Sequence, residues 1–135
     1  MSYMKLTDTV AVAGQISAEQ VGEIAAAGFR VLVNNRPDGE DAGQPSGAEI
    51  EAAALAAGLE YHHLPVTGMN FPGPDVERMA QLLDDSSRPV FAFCRTGTRC
   101  TNLWVVTREE DSREEAIRHA RALGFDLSMA ARVLV

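Results

Sequence analysis

The chain predicts an α/β domain, with a central, mainly parallel sheet of four to five strands flanked by helices. Three observations carry this. Short apolar, β-branched runs alternate with helical periodicities along the chain. Several helical segments open on Ser-x-x-Glu or Ser-x-x-Gln signatures. The 135 residues, 46% hydrophobic and 23% charged, suit one domain with one core, spanning 1–135.

The elements follow in order. "TVAVAG" (9–14) is a short strand. Residues 17–28 form a helix: Ser17 and Gln20 make a capping box, Val21, Ile24 and Ala25 share a face, and Gly28 suits the stop. "FRVLVNN" (29–35) is a buried strand. Residues 36–45, rich in Pro, Gly and Asp, are a loop. Residues 46–58 are a helix with a Ser46/Glu49 signature. "LEYHHLPV" (59–66) is a strand and 67–74 a loop. Residues 75–85 are a helix that turns Val76, Met79, Ala80 and Leu83 inward. "PVFAF" (89–93) is a wholly apolar strand. Residues 97–110 read as a buried helix, 112–124 as a helix capped by Ser112 and Glu115, and a last short helix starts near Asp126.

Composition narrows the function classes. A net charge of −7 argues against general nucleic-acid binding, which needs a positive footprint. No apolar run reaches the length of a membrane span, and the first residues lack a signal-peptide pattern, so a cytoplasmic location is expected. Two cysteines are too few for a disulfide scaffold. Their spacing to the histidines is not a zinc signature, so no metal and no cofactor are expected. The sequence does not define an oligomeric state.

In α/β sheets, ligands bind beyond the carboxyl ends of the strands. Three loops leave such ends, at 36–45, 67–74 and 94–98, and the last carries the chemistry. A helix starting near Gly97 or Thr98 aims free N–H groups and its positive dipole end at Cys94. Gly97 lets the backbone amides of residues 95–99, with Thr96 and Thr98, curl into an anion nest. Such surroundings lower a thiol pKa from ~8.5 to roughly 3.5–7.5. Cys94 is therefore the candidate nucleophile. Arg99 is the candidate planar, two-pronged contact to an oxyanion. Arg95 and Arg36 are candidate groups for attracting an anionic substrate, although Arg36 could equally pair with Asp38 or Glu40.

"CRTGTR" (94–99) resembles the active-site loop of rhodanese-type sulfurtransferases. It also resembles a cysteine-dependent phosphatase loop shortened by one residue. Together, "VLVNNRPDGED" (31–41) and "FCRTGTRCTNLW" (93–104) resemble a bacterial family, the phosphatase-like domain of β-lactamase-hydrolase-like proteins. The resemblance covers essentially the whole chain. It implies a tyrosine/dual-specificity phosphatase-like fold with a rhodanese-like loop. By family analogy it also implies a metallo-β-lactamase-like hydrolase as partner.

Two cargoes are then open. The expectation is a sulfurtransferase that forms a Cys94 persulfide from thiosulfate or a low-molecular-weight persulfide. The alternative is a phosphatase acting through phosphocysteine, and a further one is a non-catalytic redox or anion sensor. Loop length favours sulfur, because removing one residue of roughly 3.3–3.6 Å shrinks the cradle. A phosphatase would also need an acid for its leaving group. Asp75 is the best-placed candidate, with a helix N-cap role as its bland reading. Asp38 and Asp41 read as turn formers. Phe93 stands where the phosphatase motif carries a histidine.

Cys100 stands where the family usually has a hydroxyl residue after the arginine. It is a candidate resolving thiol, or else a small buried residue. His62 and His63 point to opposite faces of their strand. Leu103 and Trp104 read as core, and His119 as solvated.

Overall fold

The computed structural model describes residues 1–134. Strands β1 (Met4–Thr7), β2 (Val10–Ala13), β3 (Val31–Asn34), β4 (Glu60–His63) and β5 (Val90–Phe93) form one sheet in the order β1-β2-β5-β3-β4. The last four in that order run parallel, and β1 joins β2 antiparallel. Helices α1 (Ala18–Ala26), α2 (Gly47–Ala56), α3 (Val76–Asp84), α4 (Thr98–Val106), α5 (Glu110–Ala122) and α6 (Ser128–Val133) complete the chain.

The period of two along the strands divides the core into two layers. Val10, Val12, Val31, Val33, Val90 and Ala92 face a layer closed by Met79, Leu83, Leu103, Trp104, Ala116 and Ala130 from α3 to α6. Ala11, Leu32, Phe91 and Phe93 face the other layer, against Val21 and Ile24 of α1 and Ile50 and Ala54 of α2. Cys94 continues the first set, so its sulfur lies on the α3–α6 side.

Most expected elements are present, and their caps explain where they start. Ser17 accepts from the Gln20 N–H at 3.3 Å while the Gln20 side chain accepts from the Ser17 N–H at 2.9 Å. Ser46 accepts from the Glu49 N–H at 3.1 Å. Three expectations change. Strand β1 lies outside the strand read at 9–14; as an edge strand burying only Leu6, it lacks an apolar run. The helix read at 97–110 ends at Val106, where the Thr107 hydroxyl returns to the Leu103 and Trp104 carbonyls. Helix α5 starts at Glu110, so Ser112 lies inside it and donates to the Glu109 carbonyl at 3.2 Å. Glu110 and Asp111 in the first turn suit the positive helix end without a serine cap.

The sheet order places β5 centrally, between β2 and β3. Beyond the strand ends, backbone bonds stitch the loops together. The Asn35 N–H donates to the Phe93 carbonyl at 2.9 Å, the Val66 N–H to the Asn35 carbonyl at 3.0 Å, and the Gln15 N–H to the Arg95 carbonyl at 3.3 Å. Loops after four strands thus converge on the start of α4.

Candidate active site

The site is built at the junction of β5 and α4. Gly97 occupies the N-cap position with φ of 86°, a left-handed conformation that costs an L-residue roughly 1–2 kcal/mol. A Cβ there would also lie 3.4 Å from the Ala13 carbonyl oxygen. Having no side chain, Gly97 cannot cap the first turn of α4. The Cys94 sulfur takes that role. It accepts from the Gly97 N–H at 3.1 Å, and the amides of Cys100 and Thr96 are aimed at it as well.

These donors set the ionisation of Cys94. Its thiol is held at about 5, well below the ordinary thiol range. The largest cause is a hydrogen bond from the Cys100 thiol. Burial pushes the other way, and the Cys100 thiol, the amides and the Arg99 charge together prevail over it. Cys100 moves oppositely, well above the ordinary range, by burial first and then by the neighbouring Cys94 thiolate. The site therefore pairs a thiolate with a thiol. Alkylation of Cys94 by iodoacetamide should rise through a midpoint near pH 5 and level off by neutrality, while Cys100 stays unlabelled. Peptide mass mapping across pH measures this, and a midpoint near 8.5 would contradict the assignment.

Arg99, the second residue of α4, is held at one end. Its Nη1 donates to Glu40 Oε2 at 2.8 Å and to the Val66 carbonyl at 2.9 Å, and its Nη2 donates to Glu40 Oε1 at 2.8 Å. A guanidinium carries five N–H groups. Two remain, on Nε and Nη2, with no partner among the described residues. They lie on one edge, which leaves a forked contact for an incoming oxyanion.

Arg36 is buried and reaches the cradle through Glu40. Its Nε donates to Glu40 Oε1 at 2.9 Å, its Nη2 to Asp41 Oδ2 at 2.6 Å, and its Nη1 to Gln15 at 2.9 Å. Arg95 is exposed, with Nε 3.4 Å from Asp41 Oδ2. The three arginines are thus matched by Glu40, Asp41 and the Cys94 thiolate. Thr96 and Thr98 bond each other, hydroxyl to hydroxyl, at 2.9 Å. Asp38 accepts from the Gly47 N–H at 2.7 Å, a loop-to-helix brace. His63 meets the Arg36 carbonyl at 2.8 Å and steadies the same loop, whereas His62 pairs with Glu60 at 2.6 Å.

Asp75 occupies the N-cap position of α3 but makes no side-chain cap bond. It lines a narrow crevice with Asn35, Val66 and Met79, one residue removed from Arg99 through the Val66 carbonyl. Among the described residues no hydrogen bond or ion pair joins Asp75 to Cys94 or Arg99. Trp104 and Leu103 are core, and exposed His119 packs edge-on to Trp104 at 6.3 Å.

Glu40 is the site residue the sequence did not single out beyond its role as a partner for Arg36. The available signal was its place four residues after Arg36, in a loop leaving a buried strand. Its carboxyl is lowered from 4.5 to about 2, chiefly by the Arg99 hydrogen bonds, against burial, and then by Arg36. A depressed carboxylate contributes stability that is complete above about pH 4.5 and is lost as pH falls through about 2. Glu40→Gln should therefore flatten that part of the acid-unfolding curve, read by Trp104 fluorescence. An unchanged acid limb would refute the pairing.

A thiolate capping a helix start, with an arginine fork beside it on a largely parallel sheet, is the setting of a phosphatase-like α/β domain. Tk-PTP in its active form shares the fold at 22% identity, with a TM-score of 0.70 over 98% of this chain and 93% of that one. A candidate phosphatase from Neisseria meningitidis aligns at 37% identity and a TM-score of 0.80, covering 95% of this chain and 92% of that one. The chain belongs to the family described as the phosphatase-like domain of β-lactamase-hydrolase-like proteins, which residues 2–110 match. The β-lactamase-hydrolase-like protein of Agrobacterium fabrum is 34% identical over 137 aligned residues, covering 99% of this chain and 32% of that protein. The chain spans about a third of the length of such curated relatives. Among the described residues no helix is long and apolar enough to cross a membrane.

Proposed function

We propose that the domain hydrolyses a phosphoester through a covalent Cys94 phosphocysteine. The observation that carries this is the thiolate at about 5 beside the open Nε/Nη2 edge of Arg99. The thiolate attacks phosphorus, the Arg99 fork and the first amides of α4 stabilise the equatorial oxygens, and Asp75 protonates the leaving oxygen. The phosphatase-like relatives favour this reading over the sulfur transfer expected from loop length.

One observation supports sulfur transfer as a second reading. The arginine charges are already matched by Glu40, Asp41 and the thiolate, so a phosphate dianion meets a neutral cradle. Sulfane sulfur in a persulfide carries less charge and fits a loop one residue shorter. In that case Cys94 would carry a persulfide and pass it to a thiol.

One experiment separates the two. Purified protein is given an aryl phosphate, thiosulfate or glutathione persulfide, in parallel with Cys94→Ser. Phosphate release that depends on Cys94 supports hydrolysis. Persulfide on Cys94 with no phosphate release sinks it in favour of sulfur transfer.

A further inference from the structure

The fully buried side chain of Asn35 has one polar atom that the fold leaves unused. Asn34 pairs with Phe93 in parallel register, so Asn35 comes level with Cys94, one strand spacing of roughly 4.8 Å to the side. Its Nδ2 donates to the Leu64 carbonyl at 2.9 Å and lies 3.9 Å from the Met79 sulfur. That places the side chain on the α3 side of the sheet, where the Cys94 sulfur also lies. A carbonyl can only accept, which fixes the orientation of the amide. Oδ1 is then the atom left over, with no partner among the described residues.

Buried acceptors nearly always meet a donor. Water cannot supply one here, because the crevice that Asn35 lines is too narrow to hold it. Among the described residues lining that crevice, Asp75 is the only other one with a side-chain N or O atom. Its carboxyl makes no cap bond to α3, so it is free to turn. An ionised carboxyl only accepts, whereas a protonated one donates. Asn35 thus stands between the nucleophile, level with it on the next strand, and the acid, with which it shares a crevice.

We propose that Asn35 positions Asp75 for proton transfer, its Oδ1 accepting the O–H of the protonated carboxyl until the leaving oxygen takes over. This rests on the phosphoester reading. The Cys94 thiolate attacks, an S–P bond forms, and the P–O bond to the leaving group breaks. As that oxygen gains negative charge it becomes the stronger acceptor. The Asp75 O–H turns from Asn35 to it and gives up its proton. Water then attacks phosphorus, its proton goes to the Asp75 carboxylate, and the S–P bond breaks to return the thiolate and free phosphate. The Asp75 O–H comes back to Oδ1. Asn35 does not touch the substrate, so its effect passes wholly through Asp75.

The test compares kcat/KM for phenyl phosphate, whose leaving oxygen needs a proton, with that for 2,4-dinitrophenyl phosphate, whose leaving oxygen does not. Asp75→Asn should lose roughly 10²–10³ on the first ester and little on the second, the scale of a general acid. Asn35→Leu and Asn35→Ala should lose about ten-fold or more on phenyl phosphate and no more than about two-fold on the other. Both esters are assayed on one preparation, so the ratio is independent of how much of the variant folds. In the Asp75→Asn background, Asn35→Leu should leave the ratio unchanged, because the residue acts only through the carboxyl. Equal losses on the two esters, or a further drop in the ratio without Asp75, would overturn the positioning role while hydrolysis stands. No phosphate released by the wild type from either ester would overturn the phosphoester reading and this inference with it.

Discussion

Cys94→Ser is expected to lower turnover of the preferred substrate by roughly four to six orders of magnitude, the scale seen when a covalent nucleophile is removed. The loss should appear in kcat and leave folding nearly intact. Serine keeps a side-chain acceptor for the amides at the start of α4, so the first turn stays capped. Its hydroxyl remains neutral where the thiolate is ionised at about 5, so the driving force for attack is gone. Removing the thiolate also removes one of the negative charges facing Arg99. Inorganic phosphate should then bind the variant at least as tightly as the wild type. Steady-state kinetics, thermal unfolding and phosphate titration measure the three effects. A variant that unfolds, or that retains turnover, would count against Cys94 as nucleophile.

Arg99→Lys is expected to cost roughly 10²–10³ in kcat/KM, as does the loss of a donor aimed at developing negative charge. Charge is conserved in this change, so a simple attraction model predicts little loss. The geometry predicts otherwise. Arg99 uses one end of its plane for Glu40 and the Val66 carbonyl and offers the opposite edge to substrate. An ammonium group has no second edge, so it can hold Glu40 or the ligand but not both in register. The Cys94 midpoint should shift upward slightly, because Arg99 is the last and smallest of its causes. Kinetics with the aryl phosphate and the alkylation profile check both statements. Full activity in the lysine variant would show that the fork is not used.

The strand–loop–helix unit was legible because its signals are local. An apolar strand, a glycine that must be left-handed and an arginine at the helix start are all written within residues 89–100. The parallel sheet was legible for a similar reason: each buried strand is a short apolar run separated from the next by a helical period. Strand β1 was not, because an edge strand with one buried residue has no pattern to find. Glu40 was not, because its significance comes from Arg99, 59 residues away, and from a register that only the assembled sheet supplies. The end of α4 depended on a hydroxyl returning to its own helix at Thr107, which no periodicity records.

The last helix bears on the site through Asn102. This buried side chain donates to the Thr98 carbonyl at 2.8 Å and to the Asp126 carbonyl at 2.9 Å, and it accepts from the Ala130 N–H at 2.9 Å. One amide thus bolts the turn that presents Arg99 to the start of α6. The two segments should open as one cooperative unit rather than fray separately. Amide hydrogen exchange at residues 98–102 and 128–131 should then show matched protection, and Asn102→Ala should release both together. Damage to the far end of the chain would be felt as a slackened grip on the substrate, with no residue of the cradle altered.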